Sequence, residues 1–235
     1  MLQTQTVERE TLELLKELMG DVRLGQFSLA EGTALALYMG HRKSIDLDLF
    51  SPACFDAPGM EKYLAERYGF RTDMLEKNTL KGSIGGVAVD MITHAYPTLR
   101  PFISEEGIRL YSREDIAAMK LSAIADSGTR LKDFIDVAYL STVMPLADMV
   151  AAYGEKYRNS NPVRALKGLD YYADIIHDEH IKLLDGVYSW EHIRKRLADM
   201  ISDPAKIFPD RPVQPERRIR PTVIPPKKPK KGFRR

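Results

Sequence analysis

The sequence has one cysteine and one tryptophan among its 235 residues. Because Cys54 is alone, no intramolecular disulfide can form, and a metal site built from several thiolates is excluded. No segment approaches the ~20 uninterrupted apolar residues of a membrane-spanning helix. The opening residues, MLQTQTVERETLELL, lack the basic start and apolar core of a signal peptide. We therefore expect a cytoplasmic protein that does not enter the membrane.

The net charge of +2 conceals an uneven distribution. From Ala205 to the end there are 11 Lys/Arg, 2 Asp/Glu and 7 of the 14 prolines, whereas the first 204 residues carry a net charge of −7. A segment so charged and so rich in proline cannot bury enough apolar surface to fold alone. We predict that residues 204–235 form a basic, disordered tail. Such a tail would bind polyanions or simply keep the chain soluble.

Hydrophobic periodicity predicts an α/β part over residues 1–111 and a helical part over residues 112–203. Ser112 is a suitable N-cap for the helix REDIAAMKLSAIAD. The predicted helices of the first part are 5–19, 33–40 and 57–69, and its predicted strands are QFSLA, SIDLDLFS, FRTDMLEK, TLKGSIGGVAVDMITHA (two strands) and GIRLYS. We therefore predict an α/β (α+β) fold followed by a helical C-terminal part.

The segment SIDLDLFS, residues 44–51, carries the first chemical signal. Its period-two pattern predicts a strand that buries Ile45, Leu47 and Leu49 and presents Asp46 and Asp48 on the other face. Two like charges on one face repel each other, so a merely solvated strand would be better served by Thr, Lys or Gln. Hard carboxylate oxygens are the ligands that Mg²⁺ prefers. The pair therefore indicates a metal site.

Two further features belong with this pair. Gly32-Thr33 lies between a predicted strand and a predicted helix, where free N–H groups and the helix dipole favour a phosphate. Asp90 interrupts the apolar strand GVAVDMI and adds a third carboxylate to the same sheet. A phosphate site beside three carboxylates is typical of in-line transfer at a nucleotide phosphorus with one or two Mg²⁺ ions.

Lys120 is predicted to lie on a mostly apolar helix, between Met119 and Leu121. A buried lysine needs an anionic partner, which a bound phosphate or a carboxylate would supply. The alternative is a lysine whose stem lies on the apolar surface and whose ammonium reaches water.

The segment LAEGTALALYMGHRKSIDLDLFS resembles the nucleotidyltransferase superfamily signature, an apolar residue, Gly, Gly/Ser, then Asp-x-Asp/Glu. It is more closely similar to the AbiEii-type abortive-infection toxins, with their GGTALAL…GHR.S.DLD.F run. The later SREDIAAMKLSAIADSGTRLKDFIDVAYL is similar to the part of that family in which a helix Lys and a K/R-D-x-x-D segment complete the site. The resemblance covers roughly residues 25–142 and implies a nucleotidyltransferase-fold mixed sheet flanked by helices.

The resemblance also implies roles for individual residues. Asp90 would act as a base as well as a metal ligand, and Lys120 would contact phosphates. In the K/R-D-x-x-D segment, Asp133 would be the further polar residue of the site, in preference to Asp136. The implied nucleotide-binding residues are Gly32, Thr33, Ser44 and Lys120; the implied ligands of two Mg²⁺ ions are Asp46, Asp48 and Asp90; the implied catalytic set is these three with Lys120 and Asp133.

Glu31 departs from the family pattern, which has glycine at the first position of the loop. A positive φ at Glu31 would cost on the order of 1 kcal/mol, and its charge would lie near a triphosphate unless the side chain points away. The pair His177 and His180 resembles part of a metal site, but no third ligand is nearby, and solvent-facing histidines are the commoner reading.

Together these features predict a Mg²⁺-dependent nucleotidyltransferase that moves a nucleoside monophosphate from an NTP to an RNA or tRNA end or to a protein hydroxyl. By resemblance it would be the toxin of a toxin–antitoxin system, with a cognate antitoxin as partner. One alternative is a non-catalytic nucleotide- or nucleic-acid-binding protein in which Glu31 blocks nucleotide binding. The other is transfer to a small molecule such as an antibiotic hydroxyl.

Overall fold

A computed structural model of the protein describes residues 1–213. Within this range the chain forms eight α-helices and one mixed seven-stranded sheet, which confirms the predicted α/β class. None of these helices is both long and apolar enough to cross a bilayer. The strands are β1 (Ser28–Leu29), β2 (Leu47–Ser51), β3 (Arg71–Glu76), β4 (Thr79–Ile84), β5 (Val87–Thr93), β6 (Ile103–Glu105) and β7 (Ile108–Leu110). The helices are α1 (Arg9–Gly20), α2 (Glu31–Met39), α3 (Ala57–Tyr68), α4 (Arg113–Asp126), α5 (Leu131–Leu140), α6 (Leu146–Lys156), α7 (Pro162–Leu169) and α8 (Trp190–Ser202).

The order of strands in the sheet is β3-β4-β5-β2-β1-β7-β6. β2 pairs in parallel with β5, and the register places Asp48 directly opposite Asp90. β4 runs antiparallel to β5 and places Lys81 opposite Asp90. Because side chains directly opposite each other project from the same face, this register brings two carboxylates and one ammonium together.

Helix α2 follows β1 directly and is buried along most of its length, with Thr33, Ala34, Leu35, Ala36 and Leu37 all inaccessible. It ends at Gly40, whose φ of 69° is the left-handed conformation that glycine adopts without strain. Helix α4 begins as predicted at Ser112, whose hydroxyl accepts the Asp115 N–H. α4 packs against α5, α6 and α7, and α5 packs against α2. The helical part therefore lies directly against the helix that follows β1.

The strand predicted over 44–51 begins only at Leu47, and Ile45 is 60% exposed rather than buried. The preceding residues are held by other segments, because Ser44 N–H donates to Thr6 O and Lys43 N–H donates to Lys182 O. Asp46 therefore lies on a loop just before the strand. Within β2 only Asp48 is partly accessible, since both faces of the strand are otherwise covered.

Two boundaries also differ from the sequence prediction. The N-terminal helix starts at Arg9, after a separate 3₁₀ turn at Thr4–Thr6. Residues 204–213, the first ten of the predicted tail, are held against the helical part. Pro204 O accepts the Ala147 N–H, and Phe208 N–H donates to Ser141 O. The remaining tail, residues 214–235, lies outside the described residues.

The loop after β5 is fixed by a buried ion pair. Lys156 Nζ lies 2.7 Å from Asp115 Oδ1 and donates to Pro97 O, and both charged side chains are inaccessible. Asp115 also accepts the backbone N–H groups of Leu99 and Arg100. A buried pair of this kind is costly to break, so it holds the loop firmly against α4 and α6.

Candidate active site

Two cavities open beside the start of β2 and share Asp46, Asp48 and Arg130. The first, about 490 Å³, also contains Glu31 and Asp90, so four carboxylates line it. The second, about 270 Å³, is lined by more basic than acidic side chains: Glu8, Asp46 and Asp48 face Arg42, Lys43, Arg130, Lys132, His180 and Lys182. An acidic and a basic chamber therefore meet at the Asp-x-Asp motif.

The carboxylates of the first cavity come from three elements. Asp46 precedes β2 and is exposed, whereas Asp48 lies within β2 opposite Asp90 of β5. Lys81 on β4 bonds Asp90 Oδ2 through its Nζ at 2.5 Å. Asp90 is therefore already paired with a cation, and Asp46 and Asp48 are not ion-paired to any residue of 1–213.

Burial and, after it, the nearby carboxylates of Glu31, Asp90 and Asp46 together raise the pKa of Asp48 to about 7, against an opposing effect of Lys120. The ionised form of Asp48 thus has too little positive charge near it.

A divalent cation would supply that charge. Across residues 1–213 no three Asp, Glu, His or Cys side chains are already arranged around an ion position. The donors nevertheless suit Mg²⁺, because they are all hard oxygens and because Asp48 is stabilised as a carboxylate only when a cation is near. On these grounds the residues fit a metal site centred on Asp46 and Asp48.

Lys120 does not reach either cavity. Its side chain is 1% exposed, and its Nζ lies 2.6 Å from Glu31 Oε2, 2.7 Å from Asp133 Oδ1 and 3.4 Å from Asp136 Oδ2. Burial alone would lower the pKa of the Lys120 ammonium, but Asp133, Glu31 and Asp136 outweigh it and raise that pKa above its ordinary value. Of the two anionic partners considered from the sequence, phosphate or carboxylate, the structure shows carboxylates. The implied contact of Lys120 with phosphate is absent from this arrangement.

Asp136 is as central to this network as Asp133, although the sequence favoured Asp133. Arg42 binds both oxygens of Asp136, at 2.7 and 2.9 Å, and His41 Nε2 lies 2.9 Å from Oδ1. Burial would raise the pKa of Asp136, but Arg42 and Lys120 hold it well below its usual range. Burial lowers the pKa of His41, which favours its neutral form.

The first residue of α2 has the strained backbone considered from the sequence, because Glu31 has a φ of 54°. Gly32 lines the second cavity, and a Cβ at this position would approach the Arg42 guanidinium to 2.5 Å. Thr33 is buried, and its Oγ1 lies 2.7 Å from Ser44 Oγ and donates to Asp46 O. The Thr33 hydroxyl therefore positions the loop that carries Asp46, and it does not line either cavity.

A family model described as "Nucleotidyl transferase AbiEii toxin, Type IV TA system" matches residues 87–214. The chain is also 30% identical over 174 residues to the uncharacterized protein aq_aa25 of Aquifex aeolicus (strain VF5), covering 72% of this chain and 84% of that protein. The chain belongs to the AbiEii family.

Two crystal structures from Helicobacter pylori share the fold of this AbiEii protein. One is of a candidate nucleotidyltransferase and has a TM-score of 0.51. The match covers 83% of this chain and 94% of the chain in that structure. The other is of JHP933, with a TM-score of 0.52, and covers 83% of this chain and 92% of its own. Both are 18% identical to this chain. At this level of identity the similarity shows a common nucleotidyltransferase fold and nothing finer. Membership in a type IV toxin family further implies an antitoxin partner.

Several cations of the AbiEii site were not singled out from the sequence. Arg130 immediately precedes α5, lines both cavities, is exposed, and forms no ion pair or side-chain hydrogen bond within residues 1–213. Its position two residues before the Lys-Asp-x-x-Asp segment could have marked it as a site residue. Lys182 lies in an irregular segment, and its backbone carbonyl accepts the N–H of Lys43. No local sequence pattern predicts this long-range contact.

The two histidines of the HDEH segment have different surroundings. His177 packs edge-on against Trp190, with ring centroids 5.3 Å apart, whereas His180 lines the second cavity. His94 stacks on Phe50, and burial, followed by the charge of Lys156, lowers its pKa to about 4. None of these histidines lies among the carboxylates that line the first cavity.

Replacing Lys120 by methionine should lower the free energy of unfolding by about 3–5 kcal/mol, because the buried Asp133 and Asp136 and the partly buried Glu31 would lose their shared cation. Lys16→Met is the matched control, since Lys16 on α1 is exposed and forms no ion pair within residues 1–213; its effect should stay within about 0.5 kcal/mol. Urea denaturation of both variants measures the difference. Equal effects would contradict the assignment of Lys120 as a structural cation.

Asp48→Asn should stabilise the protein at pH 8 by at least about 1 kcal/mol. Between the ordinary pKa and the raised value of about 7, the folded state binds more protons than the unfolded state. Stability of the wild type therefore falls as pH rises through this range and levels off above it. At pH 4 the advantage of Asp48→Asn should vanish, because Asp48 is then protonated in the wild type.

Thermal or urea unfolding in EDTA at pH 4 and pH 8 checks this. Asp46→Asn, at an exposed carboxylate of the same motif, is the control and should show a much smaller gain. A stability difference for Asp48→Asn that does not change with pH would contradict the burial argument.

Proposed function

We propose that the protein transfers a nucleoside monophosphate from an NTP to an acceptor hydroxyl, using two Mg²⁺ ions held by Asp46, Asp48 and Asp90. The observation that carries this proposal is the meeting of a basic and an acidic cavity at Asp46 and Asp48. The polyphosphate would lie on the basic side, the acceptor on the acidic side, and the reacting phosphorus at their junction.

The basic cavity supplies what a polyphosphate needs. Gly32 lies in the first turn of α2, where backbone N–H groups lack helical partners and the helix dipole favours anions. Ser44, Lys43 and Lys182 line the same space. Arg130 would take the phosphate contact first assigned to Lys120, because its guanidinium is free of ion pairs among the described residues and is suited to bind two phosphate oxygens.

The acidic cavity would hold the metal ions and the acceptor. When bound, the ions would neutralise the polyphosphate charge and stabilise the leaving pyrophosphate. The acceptor oxygen would form a bond to the α-phosphorus while the bond from that phosphorus to pyrophosphate breaks. Asp90, on β5 and facing the first cavity, would accept the acceptor's proton. Lys81, bonded to Asp90, would stabilise its carboxylate form until that step.

Family membership supports a toxin role, and for the acceptor we propose an RNA or tRNA end or a protein hydroxyl. The rival hypothesis of a non-catalytic protein rested on Glu31 blocking the nucleotide. Glu31 instead lines the acidic cavity and is ion-paired with Lys120, so its charge is partly neutralised and lies outside the basic cavity. This placement favours the enzyme.

Incubation with labelled NTPs, Mg²⁺ and total RNA tests the proposal. The wild type should label an RNA or a protein, and Asp46→Ala combined with Asp48→Ala should abolish labelling. Asp170→Ala with Asp174→Ala, an exposed pair outside both cavities, is the matched control and should label normally. Absence of any labelling or Mg²⁺-dependent NTP binding by the wild type would refute the enzyme, and label appearing only on a small acceptor would favour the antibiotic-type alternative.

Arg130→Ala should raise the Kd of the Mg²⁺–NTP complex about tenfold, a loss of about 1.4 kcal/mol that matches one charge-assisted hydrogen bond. Arg164→Ala, at an exposed arginine on α7 outside both cavities, is the control and should leave the Kd unchanged. Isothermal titration calorimetry measures both. If the two variants bind alike, Arg130 is not a phosphate ligand.

A further inference from the structure

Glu31 has a backbone conformation that glutamate adopts only at a cost. Its φ of 54° lies in the left-handed region, which costs a residue with a Cβ on the order of 1 kcal/mol. Strained backbones of this kind persist where the surrounding structure holds them, and they cluster at functional sites. Some interaction of Glu31 must therefore offset the strain.

The interaction is the ion pair with Lys120, at 2.6 Å. Lys120 itself has no need of Glu31, because Asp133 and Asp136 lie within 2.7 and 3.4 Å of the same ammonium. Without Glu31, the buried ammonium would still be compensated by two carboxylates. The ion pair therefore stabilises the backbone at Glu31, and Lys120 does not depend on it.

Each of the next two residues is fixed by a different neighbour. Gly32 packs so tightly on the Arg42 guanidinium that a Cβ would come within 2.5 Å of it, and Thr33 bonds Ser44 and Asp46 O. Glu31 adds a link from the same turn to α4, through Lys120. Three consecutive residues thus tie the turn to two other parts of the molecule, α4 and the segment of residues 42–46.

Glu31 and Gly32 also face different cavities. The Glu31 side chain, 17% exposed, lines the acidic cavity, whereas Gly32 lines the basic one. The carboxylate thus points away from the space proposed for the polyphosphate, while the backbone beside it points toward that space.

We propose that Glu31 is a positioning residue: its ion pair with Lys120 holds the strained turn so that the N-terminus of α2 faces the polyphosphate. This inference rests on the proposed function, and it assigns to an anchored glutamate the place that glycine usually takes in this family. The competing role, in which the Glu31 charge repels the nucleotide, predicts the opposite sign for its removal.

The test compares Glu31→Ala and Glu31→Gln with Glu106→Ala and Glu106→Gln. Glu106 is a matched control, because it is exposed, lies outside both cavities and has the same φ of 54°. Two quantities are measured on the full chain. One is the amide hydrogen exchange rate of Ala34, whose N–H makes the first bond of α2, to Ala30 O at 3.4 Å. The other is the Kd of Mg²⁺–ATP and Mg²⁺–GTP.

In Glu31→Ala we expect Ala34 exchange to accelerate about tenfold and the Kd of the nucleotide that binds to rise five- to tenfold. Glu31→Gln should lie between Glu31→Ala and the wild type, because its amide oxygen keeps a partial negative charge near the Lys120 ammonium but loses the full charge of the ion pair. Both Glu106 variants should match the wild type in both quantities. If Glu31→Ala does not fold, Glu31→Gln alone carries the comparison.

Unchanged exchange of Ala34 in both Glu31 variants would overturn the anchoring role. Tighter nucleotide binding on removal of the charge would overturn it in favour of repulsion. If the wild type binds no nucleotide, the proposed function fails, and exchange at Ala34 then decides the anchoring role by itself.

Discussion

The site depends on one cluster of buried charges. The ammonium of Lys120 and the guanidinium of Arg42 are enclosed with the carboxylates of Glu31, Asp133 and Asp136. An unpaired charge at this depth would cost several kcal/mol, so the buried cations and the buried carboxylates Asp133 and Asp136 require one another to be in place. Because they come from α2, the segment before β2, α4 and α5, the cluster joins the α/β part to the helical part at one position.

This cluster separates cations that support the site from cations that can contact a substrate. Lys120 and Arg42 are buried and held by carboxylates, and of the two only Arg42 borders a cavity, whereas Arg130 and Lys182 line the second cavity with exposed side chains. A buried ammonium held by three carboxylates cannot turn to a ligand without exposing uncompensated charge. The accessible guanidinium of Arg130 can turn to a ligand without that cost. The family motif identifies a lysine in sequence, but burial assigns it to the scaffold in this arrangement.

The carboxylates of the first cavity are crowded without full compensation. Asp90 has Lys81 and Glu31 has Lys120, but Asp48 lies among like charges on a partly buried strand. Sites that are locally unfavourable for folding and favourable for a ligand are expected where function competes with stability. The repulsion that Asp46 and Asp48 would otherwise feel is the reason a divalent cation suits this position.

Local patterns predicted much of the fold. The apolar run of α2, the Ser112 cap of α4 and the alternation around Asp90 each depend on neighbours in sequence, and the structure contains all three elements. Local patterns failed where hydrogen bonds to segments distant in sequence determine the backbone conformation. Ile45 is exposed because residues 43 and 44 bond to Lys182 and Thr6, and residues 204–213 pack because helices distant in sequence offer them partners.

The sequence by itself determined the family and the α/β class, because these follow from residue type and short-range spacing. Only the tertiary structure decided that Lys120 faces carboxylates, that Arg130 faces both cavities and that Glu31 points away from the basic cavity. The physical reason is that burial and ion pairing are set by side chains brought together from α2, α4 and α5, and no local pattern encodes which of them meet.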